Sequence, residues 1–153
     1  MEARDYWYWL SATEEMSPAA VKRLLGLYGG PEEIFRTVQL PVSDQLQSAL
    51  AGSRKGLDRL LAERDAWQRQ GINWCCPEDE VYPKRLLEIP DPPAGLFWRG
   101  KLPPEEKKAA AVIGARRCSY YGRAAAERFG KELAGAGIPV VSGMAMGIDG
   151  YAQ

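Results

Sequence analysis

Two short stretches carry the residue types that could hold an anion. The first is Gly114-Ala115-Arg116-Arg117-Cys118-Ser119, followed by Tyr120-Tyr121 and Gly122. Glycine lets the backbone come close to a phosphate, and arginine adds a planar fork of donors that matches phosphate oxygens. A helix opening after Ser119 would aim its free N–H groups and its dipole at the same spot. The second stretch is Ser142-Gly143-Met144-Ala145-Met146-Gly147, which offers a hydroxyl and bare backbone N–H groups, with Asp149 just beyond. Neither stretch is a GxGxxG fingerprint or a P-loop, because no Gly-Lys-Ser/Thr occurs. Either turn alone is compatible with a plain tight connection; two converging turns with two arginines point to phosphate. The residues expected to bind are therefore Gly114, Arg116, Arg117, Ser119, Tyr121, Ser142, Gly143, Met144 and Gly147. Tyr120 and Tyr121 suit base stacking or a core equally well. Asp149 suits a general base, a ribose ligand or, most simply, a helix cap. Cys118 beside two arginines has the setting of a reactive thiol, but no base or oxyanion partner accompanies it, and a packed small residue is the expectation.

The elements that must position these turns can be read around them. Ala109 to Ile113 and Ile138 to Val141 are short apolar runs that read as buried strands. Ser119 caps a helix running to about Ala136, with Ala126, Phe129, Leu133 and Ala136 as one buried stripe. Strand, helix, strand with short connections is a βαβ unit, which implies a parallel sheet and a right-handed crossover. Both turns then open at the carboxyl ends of neighbouring strands, where open α/β sheets bind ligands.

Upstream, residues 1–52 read as short helices. Tyr6, Trp9 and Leu10 share a face. Ser17-Pro18 is a cap with proline at the first helical position, and Val21, Leu24, Leu25 and Tyr28 follow amphipathic spacing. Gly29-Gly30 stops that helix, Pro31 starts another with Ile34 and Phe35 inward, and Ser43 caps a fourth that ends at Gly52. Glu32 and Glu33 follow the glycine turn where a phosphate binder would want Lys or Arg, so an accessory role is the expectation. A helix from Ser53 to Gln70 leads into a strand, Ile72 to Cys76, which places a domain boundary near Gly52. Tyr82 to Gly100 is punctuated by proline, with a short helix from Lys84 to Ile89 and a strand from Leu96 to Arg99. Lys101 to Lys108 reads as a charged loop. The expected domains are thus 1–52, all-α, and 53–153, α/β. The last begins a helix at the chain end, so this is expected to be the first part of a longer sheet.

The 153-residue chain is 46% hydrophobic with five tryptophans, which favours a packed core over disorder. Its formal net charge is zero, excluding a globally basic coat, yet residues 84–128 hold ten Lys/Arg against five Asp/Glu, a local surplus that favours anions. The chain has no histidine, so imidazole bases, His-ligated metals and Ser-His-Asp triads are absent. Three cysteines, two of them adjacent, make no zinc site. No metal, cofactor or catalytic residue is therefore expected. An odd cysteine count without a signal peptide fits the cytoplasm, and no apolar run approaches the ~20 residues of a membrane span.

Several motifs, taken together in order, resemble one family. They are Tyr82-Pro83 with Leu86 or Leu87, Asp91-Pro92-Pro93, Leu96 to Gly100, Ile113-Gly114-Ala115-Arg116 with Ser119, Tyr121-Gly122, and Ser142 to Asp149. This series is similar to that of the DNA-processing protein A family (DprA, also called Smf) over roughly residues 71–153. LLGLYGGPEEIF is similar to the SAM-like or helix-hairpin-helix-like domain that precedes the Rossmann-like domain there. The resemblance implies a bacterial cytoplasmic protein without enzymatic activity. It would bind single-stranded DNA, protect it during natural transformation and load the RecA recombinase, acting as a homodimer through the Rossmann-like domain. The family's glycine-arginine turn falls on Gly114 and Arg116, and its SGxAxG loop on Ser142, Gly143 and Gly147. Family members usually carry histidine where Gln153 stands here. The alternative from another class is a nucleotide-binding enzyme of a related Rossmann-like group, of phosphohydrolase type.

Overall fold

The run Tyr6-Trp7-Tyr8-Trp9-Leu10 has no polar face to show to water, and all five residues are buried on the first helix, α1 (Ala3–Ala12). The computed structural model describes residues 1–105 and 108–153, in two compact units, Met1–Leu102 and Pro103–Gln153. α1 is the axis of the first. Around it stand α2 (Pro18–Tyr28), α3 (Pro31–Arg36), α4 (Asp44–Lys55) and α5 (Leu57–Arg69). Their apolar residues, among them Leu24, Ile34, Leu50 and Leu57, close over Trp9 and Leu10. Trp9 meets Phe35 edge-on at 4.9 Å, and Tyr8 meets Trp74 edge-on at 5.2 Å, geometries worth about 0.5–1.5 kcal/mol each beyond burial.

The expected starts hold. Ser17 accepts from the Ala20 N–H and Ser43 from the Leu46 N–H, and Pro18 and Pro31 open their helices. Gly29 ends α2 at φ 83°, a conformation that favours glycine. The break expected at Gly52 falls instead at Gly56, and α4 runs through Gly52 to Lys55. The reason is tertiary: the Ser53 hydroxyl is claimed by Trp9 Nε1 at 2.7 Å and by Thr13 Oγ1 at 2.9 Å, so it does not cap a new helix.

β1 (Ile72–Cys75), α6 (Lys84–Leu87) and β2 (Leu96–Arg99) complete this unit. β1 and β2 pair antiparallel, Ile72 opposite Arg99 and Cys75 opposite Leu96. They form a two-stranded sheet of their own. The division between the two compact units lies at Leu102/Pro103. Cys75, Cys76 and Tyr82 are buried together; burial above all pushes the Cys75 thiol up to about 11 and the Tyr82 phenol up to about 12.

The second unit is a βαβ arrangement: β3 (Ala110–Ala111), α7 (Tyr120–Gly135), β4 (Val140–Val141) and a last turn, α8 (Ile148–Tyr151). β3 and β4 pair in parallel, Ala110 with Val140 and Ala111 with Val141, as expected but over fewer residues. The charged loop expected over 101–108 includes Glu106 and Lys107, which lie outside the described residues. The buried line of α7 is Ala126 and Gly130, not the expected Ala126-Phe129 stripe; Phe129 is 60% exposed. Gly130 faces the Ala152 backbone so closely that a Cβ would lie 2.2 Å from its carbonyl oxygen. The absence of a side chain there sets the contact between α7 and α8. The chain is thus mixed α and β, dominated by helix. Among the described residues no helix is long and apolar enough to cross a membrane.

Candidate functional site

The two glycine turns leave the same ends of β3 and β4. At the first, Ser119 caps α7 by accepting from the Gly122 N–H at 3.1 Å, as the sequence implied. At the second, Gly147 adopts φ 91° and tucks under the first turn; a Cβ on it would fall 2.2 Å from the Ala115 oxygen and 2.6 Å from that of Arg116. Only glycine fits this contact, which brings the turns together. The Ile148 N–H donates to the Ala115 carbonyl at 3.2 Å and ties them further.

Asp149 makes the strongest link. It is 7% exposed. Its Oδ1 accepts from the Gly114 N–H at 3.1 Å, and its Oδ2 accepts from the Gly143 N–H at 3.0 Å. This carboxylate is neither an open base nor a helix cap; it is a clamp between the turns. Two of the backbone donors expected to meet a phosphate are therefore already used, because a nearby carboxylate satisfies them first. The Ser142 hydroxyl is also engaged. It donates to the Asp149 carbonyl at 3.3 Å and accepts from the Met144 N–H at 3.2 Å and from Gln153 Nε2 at 3.1 Å. Gly114, Ser142, Gly143 and Gly147 thus shape the edge from within. Asp149 and Gln153 carry much of that work and were missing from the expected site; a carboxylate reaching back 35 residues leaves no local spacing signal.

Other members of the expected site face outward. Arg116 and Arg117 are exposed, and among the described residues neither has an ion-pair partner. The remaining arginines of this unit differ: Arg123 pairs with Glu127 and Arg128 with Glu132, one helical turn on. Tyr120 and Tyr121 are 89% and 82% exposed, which removes the core alternative for both in this unit. Met144 is 68% exposed and sits at φ 50°, a left-handed conformation held by its N–H bond to Ser142. Cys118 is half-buried beside the arginines. Arg116, Arg117, Cys118, Met146, Gly147, Gly150 and Tyr151 line an open depression of about 440 Å³. Such a surface can hold an anion by its guanidinium forks and offers apolar and aromatic surface next to it.

The Gly29-Gly30 turn of the first unit has a different surface. Glu33 leans over it, 2.6 Å from where a Gly30 Cβ would stand, and Glu32 is held by Arg36 and by the Tyr6 hydroxyl. Acid over the turn leaves no anion site there.

Comparison with known proteins bears on this edge directly. Residues 73–153 match the family model described as DNA recombination-mediator protein A, and that span includes both turns, Asp149 and α7. The chain belongs to this family. Among its relatives, Protein Smf of Escherichia coli is 37% identical over 110 residues, covering 71% of this chain and 28% of that protein. Protein Smf of a Synechocystis species is 26% identical over 160 residues, covering 97% of this chain and 39% of that protein. The DNA processing protein DprA of Bacillus subtilis is 38% identical over 98 residues, covering 63% of this chain and 32% of that protein. The chain therefore spans between 28% and 39% of the length of these relatives.

Proposed function

We propose that this protein acts in DNA processing as a single-stranded DNA binder, holding the backbone of the strand on the edge made by the two turns. The observation that carries the reading is the pair Arg116 and Arg117, exposed and, among the described residues, without ion-pair partners where both turns open, in a unit whose other arginines are neutralised. Unpaired guanidinium groups on a rigid edge exchange counterions for phosphates at little cost. Exposed Tyr120, Tyr121, Met144 and Met146 supply stacking and apolar surface for bases.

The family and the relatives' names, DNA processing protein among them, give the setting. In that setting the strand is protected during natural transformation and passed to the RecA recombinase. The second unit is the first part of a Rossmann-like domain through which the protein forms homodimers in the cytoplasm, and the first unit contains a SAM-like helical domain. No catalysis is assigned: the acid at the edge, Asp149, is committed to two backbone N–H groups. The same fact weighs against a nucleotide-binding phosphohydrolase, which would need those donors for its substrate.

A fluorescence titration of the full-length polypeptide with a labelled oligonucleotide tests the reading. Arg116→Ala is expected to weaken binding by about tenfold, the loss of one charge-assisted contact. Affinity unchanged by that substitution, or turnover of a nucleotide panel dependent on an acidic residue, would sink it.

A further inference from the structure

A single carboxylate occupies the place where an anion cradled by backbone N–H groups would have to sit. Each oxygen of Asp149 serves one turn, Gly114 at 3.1 Å and Gly143 at 3.0 Å, and the side chain is buried. Three neighbouring donors are spent inside the protein as well. The Met144 N–H goes to Ser142 Oγ, the Ile148 N–H to the Ala115 carbonyl and the Gly122 N–H to Ser119 Oγ. A ligand arriving at the edge finds two exposed guanidinium groups and, buried between the two turns, a carboxylate whose oxygens are already bonded.

We infer that Asp149 is a specificity-determining residue, an internal anion that fills the backbone cradle so that the edge takes the internal phosphodiesters of a polynucleotide and rejects terminal phosphates. The inference rests on the reading that Arg116 and Arg117 hold a nucleic-acid backbone. A phosphate monoester carries between one and two negative charges near neutral pH and presents three strong acceptor oxygens, so it needs several donors. At this edge the Gly114 and Gly143 N–H groups, one from each turn, are taken, and the carboxylate that holds them repels the second charge. A phosphodiester has one charge and two free oxygens, which a single guanidinium fork satisfies. A site built this way lets a strand lie across it with both ends open. It also gains nothing from a free nucleotide, which abounds in any cell that degrades DNA.

The test displaces a labelled oligonucleotide from the full-length polypeptide with TpT, whose one phosphate is a diester, and with thymidine 5′-monophosphate. Thymidine 5′-monophosphate is expected to compete at least about fivefold less well than TpT, because its second charge meets the carboxylate. Asp149→Asn, which keeps the size and removes the charge, is expected to move that ratio by about tenfold toward the monophosphate. A monophosphate that competes as well as TpT against the wild-type protein overturns the inference, and so does a ratio that Asp149→Asn leaves unchanged. If Asp149→Asn does not fold, the wild-type ratio decides by itself. A labelled oligonucleotide that fails to bind at all would overturn the arginine reading as well, whereas oligonucleotide binding with strong monophosphate competition overturns only the role given to Asp149.

Discussion

In the first unit Trp9, Leu10, Leu24, Ile34 and Leu50 are completely buried; in the second, Ile113, Phe129 and Val141 are more than half exposed. One unit is ordered by an apolar interior built on an aromatic helix. The other is ordered by a buried carboxylate and by glycines that let backbones touch. The difference teaches where function can sit. A closed core leaves its surface polar groups free to be neutralised, and the first unit pairs Arg4 with Asp79 and Arg64 with Asp5. The second unit spends its buried polar groups on holding two turns rigid, and leaves Arg116 and Arg117 unpaired among the described residues.

The contrast can be broken by substitutions that should matter in one unit and not in the other. The largest effect is expected from Trp9→Ala, which removes a fully buried ring and its bond to Ser53. It should cost about 3–5 kcal/mol in denaturant unfolding of the first unit. A loss below about 1 kcal/mol would mean that α1 is not the axis of that core. Next comes Gly147→Ala. A side chain at φ 91° is strained by itself, and its Cβ would strike the Ala115 carbonyl. The expected cost is at least about 2 kcal/mol, with the two turns separating. Amide exchange at Gly114 and Gly143 reads that separation, and unchanged protection there would refute the tight contact.

Alkaline pH should distinguish the units without any substitution. Burial raises the Cys75 thiol from 9.0 to about 11 and the Tyr82 phenol from 10.0 to about 12. Above pH 9 the unfolded chain releases these protons while the folded first unit keeps them, so the unfolded state binds fewer protons and stability falls as pH rises. The decline should begin near the unfolded values and continue until the folded groups ionise, from about pH 9 to about 12. Unfolding midpoints of the first unit at pH 7, 9 and 10.5 check this, and a flat profile would contradict the burial of both groups. The smallest stability effect is expected from Ser43→Ala, which removes the cap on Leu46 N–H and should cost about 1 kcal/mol, read as a lowered midpoint of the same unit.

Local chemistry was legible where a residue acts on its own neighbours. Ser17, Ser43 and Ser119 cap as their positions imply, Pro18 and Pro31 open helices, and Leu96–Arg99 is a strand. Legibility failed where a distant partner decides. Ser53 reads as a helix start until Trp9 and Thr13 take its hydroxyl. Phe129 reads as core, yet the close approach of Ala152 turns Gly130 inward in its place. The glycine turns and their arginines stood out by type, but no spacing rule shows that Asp149 would consume the donors on which a phosphate cradle depends.

The central claim is that Arg116 and Arg117, not a backbone cradle, carry the anion affinity of the edge. The direct measurement is the salt dependence of single-stranded oligonucleotide binding for the full-length wild-type polypeptide and for the Arg116→Ala/Arg117→Ala variant. The account predicts that the slope of log affinity against log salt shrinks by about 1.4, at about 0.7 for each lost phosphate contact. An unchanged slope would contradict it and place the strand elsewhere on the protein.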